Sequence, residues 1–432
     1  MYFHTKNNTI VFLILCILGW LIWHPPQMAF ANLHTTEQVG FPAQISQEFT
    51  RSASTNELTS RIGFGVTKGP VNLEASSVAS LQAGFYGHWL VETAPYRPNN
   101  MPYIQMVGMH QRLNCAEDAI DPSDRVQCPY AEPYAFDYRT SQSAIIEAAQ
   151  ASPGSLWLLG NEIDRVGQDE MLPESYAQAY HELYGWIKEA DPTARIANAG
   201  LVQPTPLRLE YLDRIWDTYQ NLYGHEMPVD VWNIHNFILS ERRYDYGSGI
   251  PPGIAADEGV VHASDMEHVN IEIFKQQIRD FRAWMKERGQ QEKPLIVSEY
   301  GVLYWHCAEW ADAEQTECSQ NLYDAQLVQD FMLDTFDFFL NTKDCDLGYS
   351  NDECRLVQRW MWYALNNDGT LNFNPYTHLY NHDSQNLSDL GVAFQNYVSE
   401  NQEALQFDEP VVILGTTESL SSTKLFLPYI VR

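Results

Sequence analysis

Two glutamates stand where chemistry is most readily built. Glu162 follows the run Leu156-Trp157-Leu158-Leu159-Gly160-Asn161, and Glu299 follows Pro294-Leu295-Ile296-Val297-Ser298. An apolar run of this length, ending in polar residues, reads as a buried parallel strand. A carboxylate at the end of such a strand is costly, because desolvation disfavours its charged form. A single Glu of this kind is explained well enough by a neighbouring cation, here Arg165, or by solvent at the strand end. Two of them, with room between for about three strand–helix units, suggest a shared purpose. In a barrel of eight such units, strands four and seven aim their ends at one mouth. Two carboxyl groups facing one cavity are the minimum equipment for cleaving a glycosidic bond.

The elements that must position them can be read along the chain. Strand-like runs occur at 61–66, 83–89, 102–110, 154–164, 195–202, 229–237, 294–301 and 359–365. Helical patterns lie between them. Residues 141–151 form one helix, and a second starts at Pro173 with Tyr176, Tyr180, Leu183, Tyr184 and Ile187 as its buried stripe. Residues 206–223 form a third. Val269, Ile273, Phe281 and Trp284 mark the buried side of a fourth, and 323–340 and 385–400 complete the series. Strands alternating with helices predict an α/β fold, a single (β/α)8 TIM barrel. Connections after strands three, six and seven are long, whereas 191–194 and 289–293 are short. The elaborated face therefore carries both glutamates, and barrels of this kind place function there. The expected organisation is a signal peptide (1–31), an N-terminal lead-in (32–57), the barrel (58–405) and a C-terminal tail (406–432).

Composition narrows the class. Lys6, the apolar run 10–23 and Ala29-Phe30-Ala31 form a secretory signal pattern, and the apolar run is short of the ~20 residues a membrane span needs. A secreted or extracellular monomer with no membrane association after cleavage is expected. The net charge of −30 excludes a phosphate-rich partner such as nucleic acid. Beyond Cys16 in the signal, six cysteines remain, and in an exported chain an even number suggests disulfides. Proximity favours Cys115–Cys128, Cys307–Cys318 and Cys345–Cys354. No Cys-x-x-Cys or His-Glu-x-x-His pattern exists, and His378 and His382 lie in a loop-like stretch, so no metal is expected. A Gly-x-Ser-x-Gly elbow and a phosphate-cradling glycine loop are absent too, and no cofactor is expected.

Leu159-Gly160-Asn161-Glu162 and Val297-Ser298-Glu299-Tyr300-Gly301 resemble the signature of clan A retaining glycoside hydrolases. The resemblance implies Glu162 as acid/base after strand four and Glu299 as nucleophile after strand seven. It implies Asn161 as the residue that binds the sugar 2-hydroxyl, and gives His235, at the end of strand six, a place beside the nucleophile. The clan commonly has a sugar-stacking Trp on strand eight. Trp360 and Trp362 share one strand face by alternation, with Trp362 nearer the mouth. His88, Trp89 and His110, ending strands two and three, are further substrate-binding candidates. The Arg that many clan members carry near strand two has no counterpart in this chain. In the acid/base role Glu162 should have a raised pKa, while Glu299 should be ionised, with the carboxyl groups ~5–5.5 Å apart. The reading is a secreted retaining glycoside hydrolase that cleaves β-glycosidic bonds in a poly- or oligosaccharide by double displacement. A non-catalytic glycan-binding barrel and a transglycosylase using the same two glutamates are the alternatives.

Overall fold

Eight short strands pair in chain order around a ring. The computed structural model describes residues 58–407, apart from 117–120, 122–123, 132–134, 244–246, 305–306, 311–317 and 367–373. The strands are β1 (Ile62–Gly65), β2 (Phe85–Gly87), β3 (Tyr103–Met106), β4 (Leu156–Asn161), β5 (Arg195–Gly200), β6 (Trp232–His235), β7 (Leu295–Tyr300) and β8 (Arg359–Trp362). All neighbours are parallel, from β5 through β4, β3, β2, β1, β8 and β7 to β6. Parallel bridges Ala197↔Val231 and Leu201↔Ile234 join β5 to β6. At that seam the Asn198 side chain bonds both the N–H and the C=O of Asn233. The α/β barrel read from the sequence is the fold observed.

The helices are α1 (Ser76–Ser80), α2 (Gln142–Ala151), α3 (Pro173–Ala190), α4 (Pro206–Tyr223), α5 (Ile271–Glu287), α6 (Ala325–Asn341) and α7 (Asp389–Glu400). The connection between β2 and β3 holds a 3-10 turn, Pro98–Asn100. Two details differ from the sequence reading. Helix α5 starts after Val269 and buries Phe274, Ile278, Phe281 and Trp284, with Ile273 only half-buried. Helix α7 starts at Asp389, because Asn386 and Leu387 pair with Tyr380 and Asn381 instead.

Strand alternation divides the apolar residues into two cores. Phe85, Ile104, Met106, Leu156, Leu158, Ala197, Val231, Ile296 and Met361 fill the barrel. Trp157, Leu159, Trp232, Ile234, Val297, Trp360 and Trp362 pack outward against the helices. Tyr176 of α3 does more than fill space. Its hydroxyl donates to Leu159 O and accepts from Ala199 N, both at 2.8 Å, tying β4 to β5.

In β7 the register slips by one residue against both neighbours. Ile234 faces Val297 but His235 faces Glu299, and Trp360 faces Val297 but Trp362 faces Tyr300. The extra residue is a β-bulge at Ser298–Glu299. A bulge breaks alternation and re-aims a side chain. Tyr300 returns to the outer core, and Glu299 is left at the mouth.

Charged groups brace both ends. At the floor Arg61 donates two hydrogen bonds to Asp352, at 2.6 and 2.7 Å, and Phe407 lies 4.7 Å from both Arg61 and Arg359. Beneath the loops that follow β4 and β6, the fully buried Arg208 meets Asp164 at 2.7 Å and also Glu241, and it donates to Ser248 O. Two of the expected disulfides, Cys115–Cys128 and Cys345–Cys354, are formed. Cys307 is disulfide-bonded as well, while the side chain of Cys318 lies outside the described residues. So do the expected signal peptide, the lead-in and residues 408–432 of the tail. Among the described residues no helix is long and apolar enough to cross a membrane.

Replacing Arg208 by leucine would strand two buried carboxylates. Urea unfolding should show a loss of about 3–5 kcal/mol. A loss no larger than the roughly 1 kcal/mol of an exposed pair would mean that the cluster does not brace these loops.

Candidate active site

The site begins with two backbone departures. Gly160 near the end of β4 has φ 107° and Glu162, just past it, has φ 47°, so the chain turns through left-handed conformations as it leaves the barrel. For a non-glycine residue this costs of order 1–3 kcal/mol and needs support. The support is visible. Glu162 N donates to Gly200 O at 2.9 Å, Arg165 N donates to Glu162 O at 3.0 Å, and the buried Asp169 carboxylate accepts from Asn161 N at 2.9 Å and Met109 N at 3.0 Å. The second departure is the β7 bulge. Together they bring Glu162 and Glu299 to one place, 2% and 9% exposed.

His235 lies between them. Its ring is fully buried, with Nδ1 3.1 Å from Glu162 Oε1 and Nε2 3.8 Å from Glu299 Oε2. Gly200 makes this possible, because a Cβ there would sit 2.4 Å from the His235 ring. One atom from each of Glu162, His235 and Glu299 lies within 4.8 Å of the other two. The second Glu162 oxygen faces Arg165 Nη1 at 3.2 Å, and Glu299 Oε2 accepts from Trp89 Nε1 at 3.1 Å. Three such groups could in principle ligate a divalent cation. Glu162 and His235, however, are already engaged with each other, and Arg165 supplies a fixed positive charge on the far side of Glu162.

The electrostatics reverse both expectations for the pair. Burial would raise the Glu162 carboxyl, but the His235 hydrogen bond and the Arg165 charge overcome it and hold the group down at about 2. Burial raises Glu299 to about 7; His235 moderates the rise, Glu162 adds to it, and the Trp89 hydrogen bond offsets part of it. Burial works against a charged His235, yet the carboxylates of Glu299, Glu162 and Asp164 lift it above its ordinary value. The sequence reading makes Glu162 the raised carboxyl and Glu299 the ionised one; in the free protein Glu162 is lowered and Glu299 raised. With Glu162 lowered and His235 raised, a proton shared by that pair favours the imidazole. Because that proton lies along a 3.1 Å hydrogen bond, Glu162⁻ with an imidazolium and Glu162-H with a neutral imidazole are two positions of one proton.

The other expected residues divide. Asn161 closes β4 with its Oδ1 buried and unpartnered, next to Glu162. Trp89 is at the site through its hydrogen bond to Glu299, a neutral donor where the resemblance implies a cation. Trp360 and Trp362 are corrected. Both are fully buried in the outer core, close to Phe336 of α6, and Trp362 Nε1 donates to Thr377 O. Alternation does place them on one face, but it is the helix-facing one, because Met361 takes the barrel side. The aromatic next to the mouth is Tyr363, half-buried and edge-on to Trp89 at 5.5 Å. His88 pairs with Glu92 at 3.7 Å. His110 is exposed on a ribbon, Met109–Gln111 with Phe136–Tyr138, beside an open cleft lined by Arg112, Arg139 and Glu170. Neither histidine hydrogen-bonds to Glu162 or Glu299.

No protein-family model matches the chain, and no curated protein matches it in sequence. Solved structures resemble it in chain path. One is a GH128 subgroup II endo-β-1,3-glucanase from Pseudomonas viridiflava, with 13% identity and a TM-score of 0.45 over 78% of this chain and 96% of that one. Another is a GH128 subgroup I endo-β-1,3-glucanase from Amycolatopsis mediterranei with laminaritriose, with 15% identity and a TM-score of 0.44 over 78% and 99%. A third is a GH128 subgroup III curdlan-specific exo-β-1,3-glucanase from Blastomyces gilchristii, with 13% identity and a TM-score of 0.44 over 78% and 97%. These likenesses are distant, and the functional reading rests on the site itself.

Trp89→Phe keeps a ring and removes the N–H that stabilises ionised Glu299. Heteronuclear NMR of labelled glutamate should show Glu299 titrating at higher pH than in the wild type. An unchanged titration would mean that the Trp89 hydrogen bond does not hold the carboxylate.

Proposed function

We propose that this chain is a retaining glycoside hydrolase acting on β-linked poly- or oligosaccharides, with Glu299 as nucleophile and Glu162 as acid/base. The observation that carries the reading is the buried Glu162–His235–Glu299 constellation at the barrel mouth, its ligating atoms within 4.8 Å of one another. Carboxyl groups this close leave little room for the water an inverting enzyme holds across roughly 6.5–9.5 Å. The disulfides Cys115–Cys128 and Cys345–Cys354, with the bonded Cys307, suit an oxidising, extracellular setting.

In the first step Glu299 attacks the anomeric carbon as the bond to the leaving oxygen breaks. Glu162 gives that oxygen a proton, drawn along the hydrogen bond from His235 Nδ1. His235 is left neutral, with Nε2–H directed at Glu299. In the second step Glu162, with His235 behind it, takes a proton from water. The water attacks the anomeric carbon, the ester to Glu299 breaks, and the proton returns to the imidazole. Asn161, whose Oδ1 is unpartnered, is assigned as the acceptor of a hydrogen bond from a sugar hydroxyl.

The pH dependence follows from these groups. Glu299 must be ionised, and the Glu162–His235 pair must hold one proton. The raised pKa of Glu299 makes it neutral below about 7, so kcat/KM should rise as pH rises through about 7. It should fall again at higher pH, where the pair loses its proton. A profile already at its plateau near pH 5 would contradict this assignment.

Variants test the roles. Glu299→Ala should abolish turnover. Glu162→Ala should lose activity on sugar leaving groups yet form a glycosyl-enzyme from an activated aryl glycoside, which azide then releases as a β-glycosyl azide. Rescue at position 299 instead, giving the α-azide, would mean that the roles are exchanged. Release of reducing ends from a panel of β-1,3-glucan, other β-glucans, xylans, mannans and galactans identifies the sugar. No release from any of them would favour a binding barrel.

A further inference from the structure

The acid/base carboxylate is gripped from a loop on the other side of the site. Arg165 Nη1 faces Glu162 Oε2 at 3.2 Å, while Arg165 Nη2 donates to Gly247 O at 3.0 Å. Gly247 belongs to the long connection between β6 and α5, and its backbone conformation is specific. Its φ is 142°, and a Cβ there would fall 2.1 Å from Ser240 O. The next residue is fixed as well, because Ser248 N donates to Ser240 O at 3.0 Å and buried Arg208 donates to Ser248 O at 2.8 Å. The Gly247 carbonyl is thus a placed acceptor, and the guanidinium spans from it to Glu162. Arg165 is 27% exposed, so it is held by bonds rather than by enclosure.

We propose that Arg165, held by the Gly247 carbonyl, is a positioning residue that keeps the shared proton of the Glu162–His235 pair on the imidazole and makes Glu162 a strong acid when the leaving oxygen draws on it. The proposal rests on the glycoside hydrolase reading for its catalytic consequence, but not for its electrostatic one. The two Glu162 oxygens face two different cations. One, Arg165, cannot lose its proton; the other, His235, can. Among the described residues, the charged or titratable groups disposed around Glu162 are His235 from β6, Glu299 from β7, and Arg165, Asp164 and Asp169 from the segment after β4. Asp164 is matched by Arg208, and Asp169 by Arg139. Arg165 is a cation that faces Glu162 on the side away from His235. Without it the carboxylate should take the proton from the imidazole and become a weaker acid.

The test compares wild type with Arg165→Met and Arg165→Lys. Heteronuclear NMR follows the His235 imidazole in the free protein, and thermal unfolding checks that each variant is folded. Below the pH at which the pair loses its proton, Arg165→Met should lower the imidazolium fraction of His235, although removing a cation moves the transition itself to higher pH, and Arg165→Lys, which keeps the charge, should restore much of that fraction. Gly247→Ala, which displaces the acceptor, should change the fraction in the same direction as Arg165→Met. An unchanged imidazolium fraction in folded Arg165→Met would overturn the proposal, whatever the protein hydrolyses. On a substrate identified by the panel, Arg165→Met should lower kcat for sugar leaving groups by part of the roughly 10²–10⁴-fold due to general acid catalysis, with little change for activated aryl leaving groups. Equal losses on both would assign Arg165 a merely structural role and overturn the catalytic half. Absence of glycosidase activity in the wild type would remove the reading beneath it but leave the His235 result standing.

Discussion

Two carboxylates buried side by side in an apolar barrel repel one another, and each lacks the water that would stabilise its charge. The mouth of this barrel resolves the conflict with one imidazole. His235 is near enough to hydrogen-bond Glu162 and to feel Glu299, so the three groups titrate as a unit. Much of the local architecture serves that contact. Gly200 clears the space for the ring, Tyr176 pins β4 to β5 behind it, and Asp169 braces the turn from which Glu162 projects. The β7 bulge brings Glu299 inward from a strand whose alternation would otherwise have sent it into the helix layer.

The arrangement also explains how a site can lack a cation on strand two. Trp89 gives Glu299 a neutral N–H instead. A neutral donor stabilises an anion less than a guanidinium does, and Glu299 remains well above the usual carboxylate range. The fixed positive charge sits on the other glutamate, through Arg165. The electrostatic support is thus displaced across the site, from Glu299 to Glu162.

Much of this was legible in the residues, and what was not has a physical cause. Strand–helix alternation and the two apolar runs ending in Glu are local patterns, and they located the barrel and both carboxylates. Strand-face assignment at β8 went wrong because alternation fixes which residues share a face, not which face points inward. Met361 holds the interior, so Trp360 and Trp362 went to the helices. The bulge had no sequence signal, since Val297-Ser298-Glu299-Tyr300 reads equally well as a regular strand. The resting place of the proton was hidden for another reason. It depends on His235, which meets Glu162 only once the barrel brings β6 beside β4, and on Arg165, which lies in the segment after β4. Arg165 did look like a partner for Glu162, but nothing in the sequence indicated that Gly247 would hold it there.

The most direct measurement is to trap the covalent step. A 2-deoxy-2-fluoro aryl β-glycoside of the sugar the enzyme releases should inactivate it, and mass spectrometry of the proteolysed adduct should find the sugar on Glu299. Glycosylation of Glu162 instead, or an inverted product with no adduct formed, would contradict the roles assigned to the two glutamates.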